Sequence, residues 1–181
     1  MINYLGIFDI YKTIRVNFFF NIFDNSFSGD TSKMNKAALI TYLKELLDER
    51  MQVAGAAMDA AQESANDQSK SSMGDKYETS RSMGQLDRNM HARQYEQIRQ
   101  ERTVLERITD TERSSRGAVG SLMKTTAGWF FISVSLGAVK FEDETVIAVS
   151  SSSPVGISLL GKEKDGKFSF LNKDQKILEV L

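Results

Sequence analysis

No cysteine occurs among the 181 residues. That removes disulfides, thiolate metal sites and cysteine nucleophiles, and it fits a cytoplasmic protein. Histidine occurs once, as His91 in a charged stretch, so neither a Ser/His/Asp triad nor a histidine-ligated zinc centre is expected. No run of about 18 apolar residues is present, and with it goes the expectation of a membrane span. Charge of one sign is missing too: 23 Lys and Arg against 24 Asp and Glu leave a net charge of -1. The overall balance is therefore not that of a nonspecific nucleic-acid binder.

What is there begins with two long segments of helical period. From about Met34 to Asn66, apolar residues recur three or four apart at Ile40, Leu43, Leu47, Met51, Ala54, Met58, Ala61 and Ala65, one continuous stripe on a helix. A second, weaker stripe runs through Met83, Leu86, Met90, Ile98, Leu105 and Ile108. The polar stretch Ser71-Ser-Met-Gly-Asp-Lys-Tyr-Glu78 joins them. Two stripes with a short polar connection predict an antiparallel helical hairpin over 34–109, a rod roughly 45 Å long, with Asp75 and Glu78 at its far end. Locally, Asp75-x-x-Glu78 also reads as a helix start, an N-cap carboxylate followed by a glutamate three residues on.

The first 33 residues differ from the rest. They hold six of the eleven phenylalanines, with Asp9, Lys12 and Arg15 interrupting the apolar positions, so no signal peptide is expected. We expect residues 1–33 to be an extension, either translated upstream sequence with Met34 as the natural start or a membrane-surface or partner-binding segment.

Beyond the hairpin, Asp110-Thr-Glu-Arg-Ser-Ser-Arg-Gly117 suits a linker. Strands are predicted at Ala118–Lys124, Trp129–Ser135, Thr145–Ser150, Lys167–Leu171 and Lys176–Val180, rich in β-branched and aromatic residues. Between the third and fourth, Ser153 is placed to cap a short helix, Pro154 takes its first position, Leu159 and Leu160 face the sheet, and Gly161 ends the turn. The expected fold class is α+β: a hairpin over 34–109, a linker over 110–117 and a small domain over 118–181.

Ser153-Pro-Val-Gly-Ile-Ser-Leu-Leu-Gly-Lys-Glu-Lys-Asp-Gly166, followed by a strand and a final Ile-Leu-Glu-Val, resembles the C-terminal domain of the bacterial Gre transcript cleavage factors. Gly74-Asp-Lys-Tyr-Glu-Thr79 is similar to the Gly-Asp-Leu-x-Glu-Asn at the tip of their coiled coil, and the order of hairpin and small domain matches over 34–181. Where the family motif continues Asn-Ala-Glu-Tyr, this chain has Thr79-Ser80-Arg81-Ser82.

The resemblance implies an FKBP-like C-terminal domain that binds RNA polymerase, with Ser153, Pro154, Gly161 and Lys162 as docking candidates. It implies a coiled coil inserted in the polymerase secondary channel, where Asp75 and Glu78 act in trans and share a Mg2+ with the polymerase, no cofactor being bound alone. Two-metal hydrolysis of a phosphodiester needs a second ion of this kind. The nascent RNA 3′ end is a further partner, with Arg81, Arg88 and Arg93 as contact candidates. The chain itself is then not an enzyme, takes no small-molecule substrate, meets no membrane and is expected to be a monomer. Two alternatives stand beside this reading: a non-cleaving secondary-channel regulator, and a helical adaptor unrelated to transcription.

Overall fold

The structure, a computed structural model, describes residues 34–68, 74–110 and 114–181, and for 67, 68 and 74–81 it describes the backbone alone. Residues 1–33, with the expectation placed on them, lie outside the described residues, as do Ser71–Met73 of the connection and 111–113 of the linker.

Asn35–Leu181 cluster as one compact unit. Its first half is α1 (Lys36–Gln68) and α2 (Gly74–Glu106), each 33 residues long, about 50 Å at 1.5 Å per residue. Asn35 starts α1, its Oδ1 accepting from the Ala38 amide at 3.1 Å, an ordinary N-cap. The helices are antiparallel: Lys44 reaches Glu106, Asp48 reaches Arg102, and Gly84 lies against Ala61 and Ala65. Leu39, Leu43, Leu47 and Leu105 are fully buried at the root of the pair.

The second half is a six-stranded mixed sheet, β1 (Leu122–Thr125), β2 (Gly128–Ser133), β3 (Gly137–Phe141), β4 (Glu144–Ser150), β5 (Lys167–Phe170) and β6 (Lys173–Val180), in the order β3-β4-β2-β1-β6-β5. Only β2 and β4 pair in parallel. The run Trp129-Phe-Phe-Ile132 of β2 is buried on both faces, as expected of a strand at the centre of a covered sheet. Phe130 receives Phe168 and Phe170 edge-on, with centroids 5.6 and 5.1 Å away. The short helix α3 (Pro154–Leu159) connects β4 to β5 at the opposite edge. At the root of the hairpin, the ring of Tyr42 meets that of Phe141 at 5.5 Å.

The α+β class is as expected; several details differ. Ala118–Ser121 is a turn rather than the start of a strand: the Ser121 amide donates to the Ala118 carbonyl, and Gly120 has φ +91. The strand Gly137–Phe141 was not expected, and β6 begins three residues early, at Lys173, because Leu171 and Asn172 make a tight turn with φ +51 and +60. Leu159 is buried as predicted, but Leu160 is 38% exposed rather than facing the sheet.

Candidate functional site

The second helix does not use the expected stripe over its distal half. Met83, Leu86 and Met90 are 52, 62 and 55% exposed. The residues turned toward α1 are Gly84, Arg88, His91, Tyr95, Ile98, Arg102 and Leu105, all half-buried or buried. Their spacing of four and three alternates without a break, which is the seam of a two-helix coiled coil. A Cβ on Gly84 would lie 2.8 Å from that of Ala65, and one on Gly55 would touch the Tyr95 ring. Arg102 stays in the seam by running its stem along it and extending its charge to Asp48 at 2.9 Å and to Glu106. Lys44 meets the same Glu106 at 3.3 Å. Arg102, and then Lys44, hold the Glu106 carboxyl below the usual carboxylate range.

At the far end, Asp75, Glu78 and Arg81 lie on helical backbone, and their side chains lie outside the described residues. Helix α2 begins at Gly74, so Asp75 sits inside the first turn and is not the N-cap that the local reading assigned. Three residues apart on a helix, Asp75, Glu78 and Arg81 share one face, Glu78 being a neighbour of both. Carboxylates at such spacing near the helix N-terminus suit a hard cation that takes one or two protein oxygens and completes its shell elsewhere. Arg88 follows Arg81 by seven residues on the same face and is half-buried; Arg93 is exposed and about 140° further round the helix. The three arginines therefore do not form one patch.

The second group of predicted residues lies in the sheet half. Ser153 caps α3: its Oγ accepts from the Gly156 amide at 3.0 Å and donates to the Ser150 carbonyl at 2.7 Å. Pro154 follows at the first helical position and is exposed. Gly156 packs so closely on β4 that an added Cβ would lie 2.0 Å from the Ser150 carbonyl oxygen. Gly161, at φ +72, turns the chain back, and its amide donates to the Gly117 carbonyl at 2.7 Å while the Gly117 amide donates to the Lys162 carbonyl at 2.8 Å. Arg116 adds an ion pair to Glu163 at 2.6 Å. The end of the expected linker is thus stapled to the loop after α3. The structure brings Ser153, Pro154, Gly161 and Lys162 together around one short helix and keeps them a helix length from Asp75 and Glu78. Ile157, 61% exposed on α3, belongs to the same surface; an isolated Ile in Val-Gly-Ile-Ser-Leu-Leu gives no signal of which side it takes.

A slender two-helix hairpin with an acidic first turn at one end and a small mixed-sheet unit at the other is the class of protein this defines. A scan of protein-family models finds none that matches the chain, and a search of the curated proteins finds no match either. No described helix is long and apolar enough to cross a membrane.

Proposed function

We propose that the chain is a cytoplasmic transcription elongation factor of Gre type. Its FKBP-like sheet unit docks on RNA polymerase through the surface of Ser153, Pro154, Gly161 and Lys162, and its hairpin enters the secondary channel. The observation that carries this reading is the separation of the two predicted sites: α2 spans 33 residues from Gly74 to Glu106, so about 50 Å of rigid helix lies between the acidic turn and the docking unit. A factor that acts in trans at a buried catalytic centre needs that reach.

Asp75 and Glu78 offer carboxylate oxygens from one helix face to a magnesium ion shared with the polymerase, which supplies the charge that activates water and stabilises the leaving oxygen. The chain's own part is to carry those two groups to the channel's end and orient water there, so that a backtracked transcript loses its 3′ segment. Arg81 and Arg88, on one helix face, are the nearer RNA contacts; Arg93 is on another. One observation favours the runner-up, a secondary-channel regulator without cleavage: Arg81 stands one turn after Glu78, where the family pattern has a further acid. The deciding experiment adds the protein to a stalled, backtracked polymerase complex and follows the transcript. Shortening of the RNA from its 3′ end supports the cleavage reading; binding without shortening supports the regulator; absence of binding overturns both.

A further inference from the structure

A cavity of about 370 Å³ lies where α1 begins, α2 ends and the chain enters the sheet unit. Lys36, the first residue of α1, stands in its wall and is only 7% exposed. Arg107 lines it just past the end of α2, and Ser114 lines it from the linker side. Among the described residues, the exposed Arg107 guanidinium has no ion-pair partner. The Ser114 Oγ accepts from the Arg116 amide at 3.2 Å, which leaves its own proton to donate. Among the described residues no carboxylate belongs to the wall. Glu106, next to Arg107 in the chain, is turned to Arg102 and Lys44. The carbonyls of Val104 and Leu105, in the last turn of α2, already accept from the Arg107 and Ile108 amides at 3.2 and 3.3 Å. The polar groups on offer are therefore donors.

The rest of the wall is apolar and partly open: Val104 and Val119 are 37 and 48% exposed, and Ile108 is buried beside them. We propose that this cavity is a binding site for a small organic anion, with a carboxylate or phosphate-ester head on Arg107, Lys36 and Ser114 and an apolar body against Val104, Ile108 and Val119. A guanidinium presents a planar fork of donors that matches either oxyanion. A neutral apolar ligand would desolvate those donors without pairing them, and an inorganic ion would leave the valines in water. The volume falls within the range of small-molecule sites, about 300–1,000 Å³, which join an apolar lining to a few convergent polar groups. Because the wall draws on α1, α2 and the entry to the sheet unit, the ligand fastens the root of the hairpin to the sheet and stabilises the fold by mass action. The site does not depend on the polymerase reading.

The test is titration of the full chain, labelled with 15N and followed by its amide NMR shifts, against phenyl phosphate, benzoate, inorganic phosphate and benzyl alcohol. Phenyl phosphate or benzoate is expected to give saturable shifts at Val104, Ile108 and Val119 with a Kd at or below about 1 mM. That binding should be at least tenfold tighter than for inorganic phosphate, the head alone, or benzyl alcohol, a body without charge. Whichever of the two organic anions binds better tells a phosphate ester from a carboxylate. Arg107→Gln, at an exposed position, is expected to weaken the binding at least tenfold, and Val119→Asp, which puts a carboxylate on the wall, to abolish it. Arg50→Gln, the same loss of charge elsewhere, is expected to stay within about twofold of wild type. Absence of saturable shifts at those three amides overturns the proposal. So does benzyl alcohol or inorganic phosphate binding as tightly as the organic anions, or Arg107→Gln binding them within twofold of wild type.

Discussion

Gly156 shows how one missing carbon holds the sheet unit together. Its α-carbon faces the Ser150 carbonyl so closely that alanine would place a methyl 2.0 Å from that oxygen. Both groups are backbone, so neither yields by rotating. Gly156→Ala is expected to destabilise the protein by roughly 1–3 kcal/mol, the range for overpacking, read as a fall in Tm by thermal unfolding. Asp75 poses the opposite case, a residue whose loss matters to function and little to folding. Inside the first turn, Asp75→Asn removes a charge from the positive end of the helix dipole and costs about 0.3–1 kcal/mol. An amide is a poorer magnesium ligand than a carboxylate. The variant is expected to fold, to bind polymerase and to lose most of its cleavage stimulation. Equal shortening of backtracked RNA by variant and wild type would remove Asp75 from the proposed site.

Among elements, the hairpin separates residues that pack from residues that only look as if they do. Leu47 is fully buried and Leu86 is 62% exposed. Leu47→Ala is expected to cost about 2–5 kcal/mol and Leu86→Gln to stay within about 0.5 kcal/mol, a contrast that chemical denaturation resolves. The root of the hairpin also carries a pH dependence. Glu106 is held below its ordinary value near 4.5, chiefly by Arg102 and then by Lys44. A depressed carboxylate contributes stability above its unfolded pKa and loses it as pH falls through the folded one. Wild type is therefore expected to lose more Tm than Glu106→Gln between about pH 5 and about pH 3, less so in high salt.

The first helix was legible because Ile40, Leu43, Leu47 and Ala54 are apolar at the positions that pack. The second was not, because its seam uses Gly84, Arg88, His91, Tyr95 and Arg102, a glycine, two rings with a polar group and two arginine stems rather than aliphatic residues, while Met83, Leu86 and Met90 lie outside it. Strand β3 was missed for a related reason. It enters β4 through Glu142, at φ +53, where no glycine or asparagine announces a hairpin. At the candidate site, the cap and the turn around Ser153, Pro154 and Gly161 were legible as turn chemistry, and the exposure of Ile157 and Leu160 was not.

At the scale of the whole molecule, docking and chemistry are assigned to opposite ends, and they should separate by mutation. Ile157→Glu changes a 61% exposed side chain, so the fold is expected to persist while affinity for polymerase falls at least tenfold, about 1.4 kcal/mol or more, in a binding titration. Unchanged affinity would move the docking surface away from α3. The seam of the hairpin adds a matter of calibre. Where Gly84 lies against Ala61 and Ala65, an added Cβ would come 2.8 Å from that of Ala65. Because the distance between packed helices follows the bulk at their contact, within about 8–10 Å, any larger side chain at Gly84 would wedge the shaft open at that point.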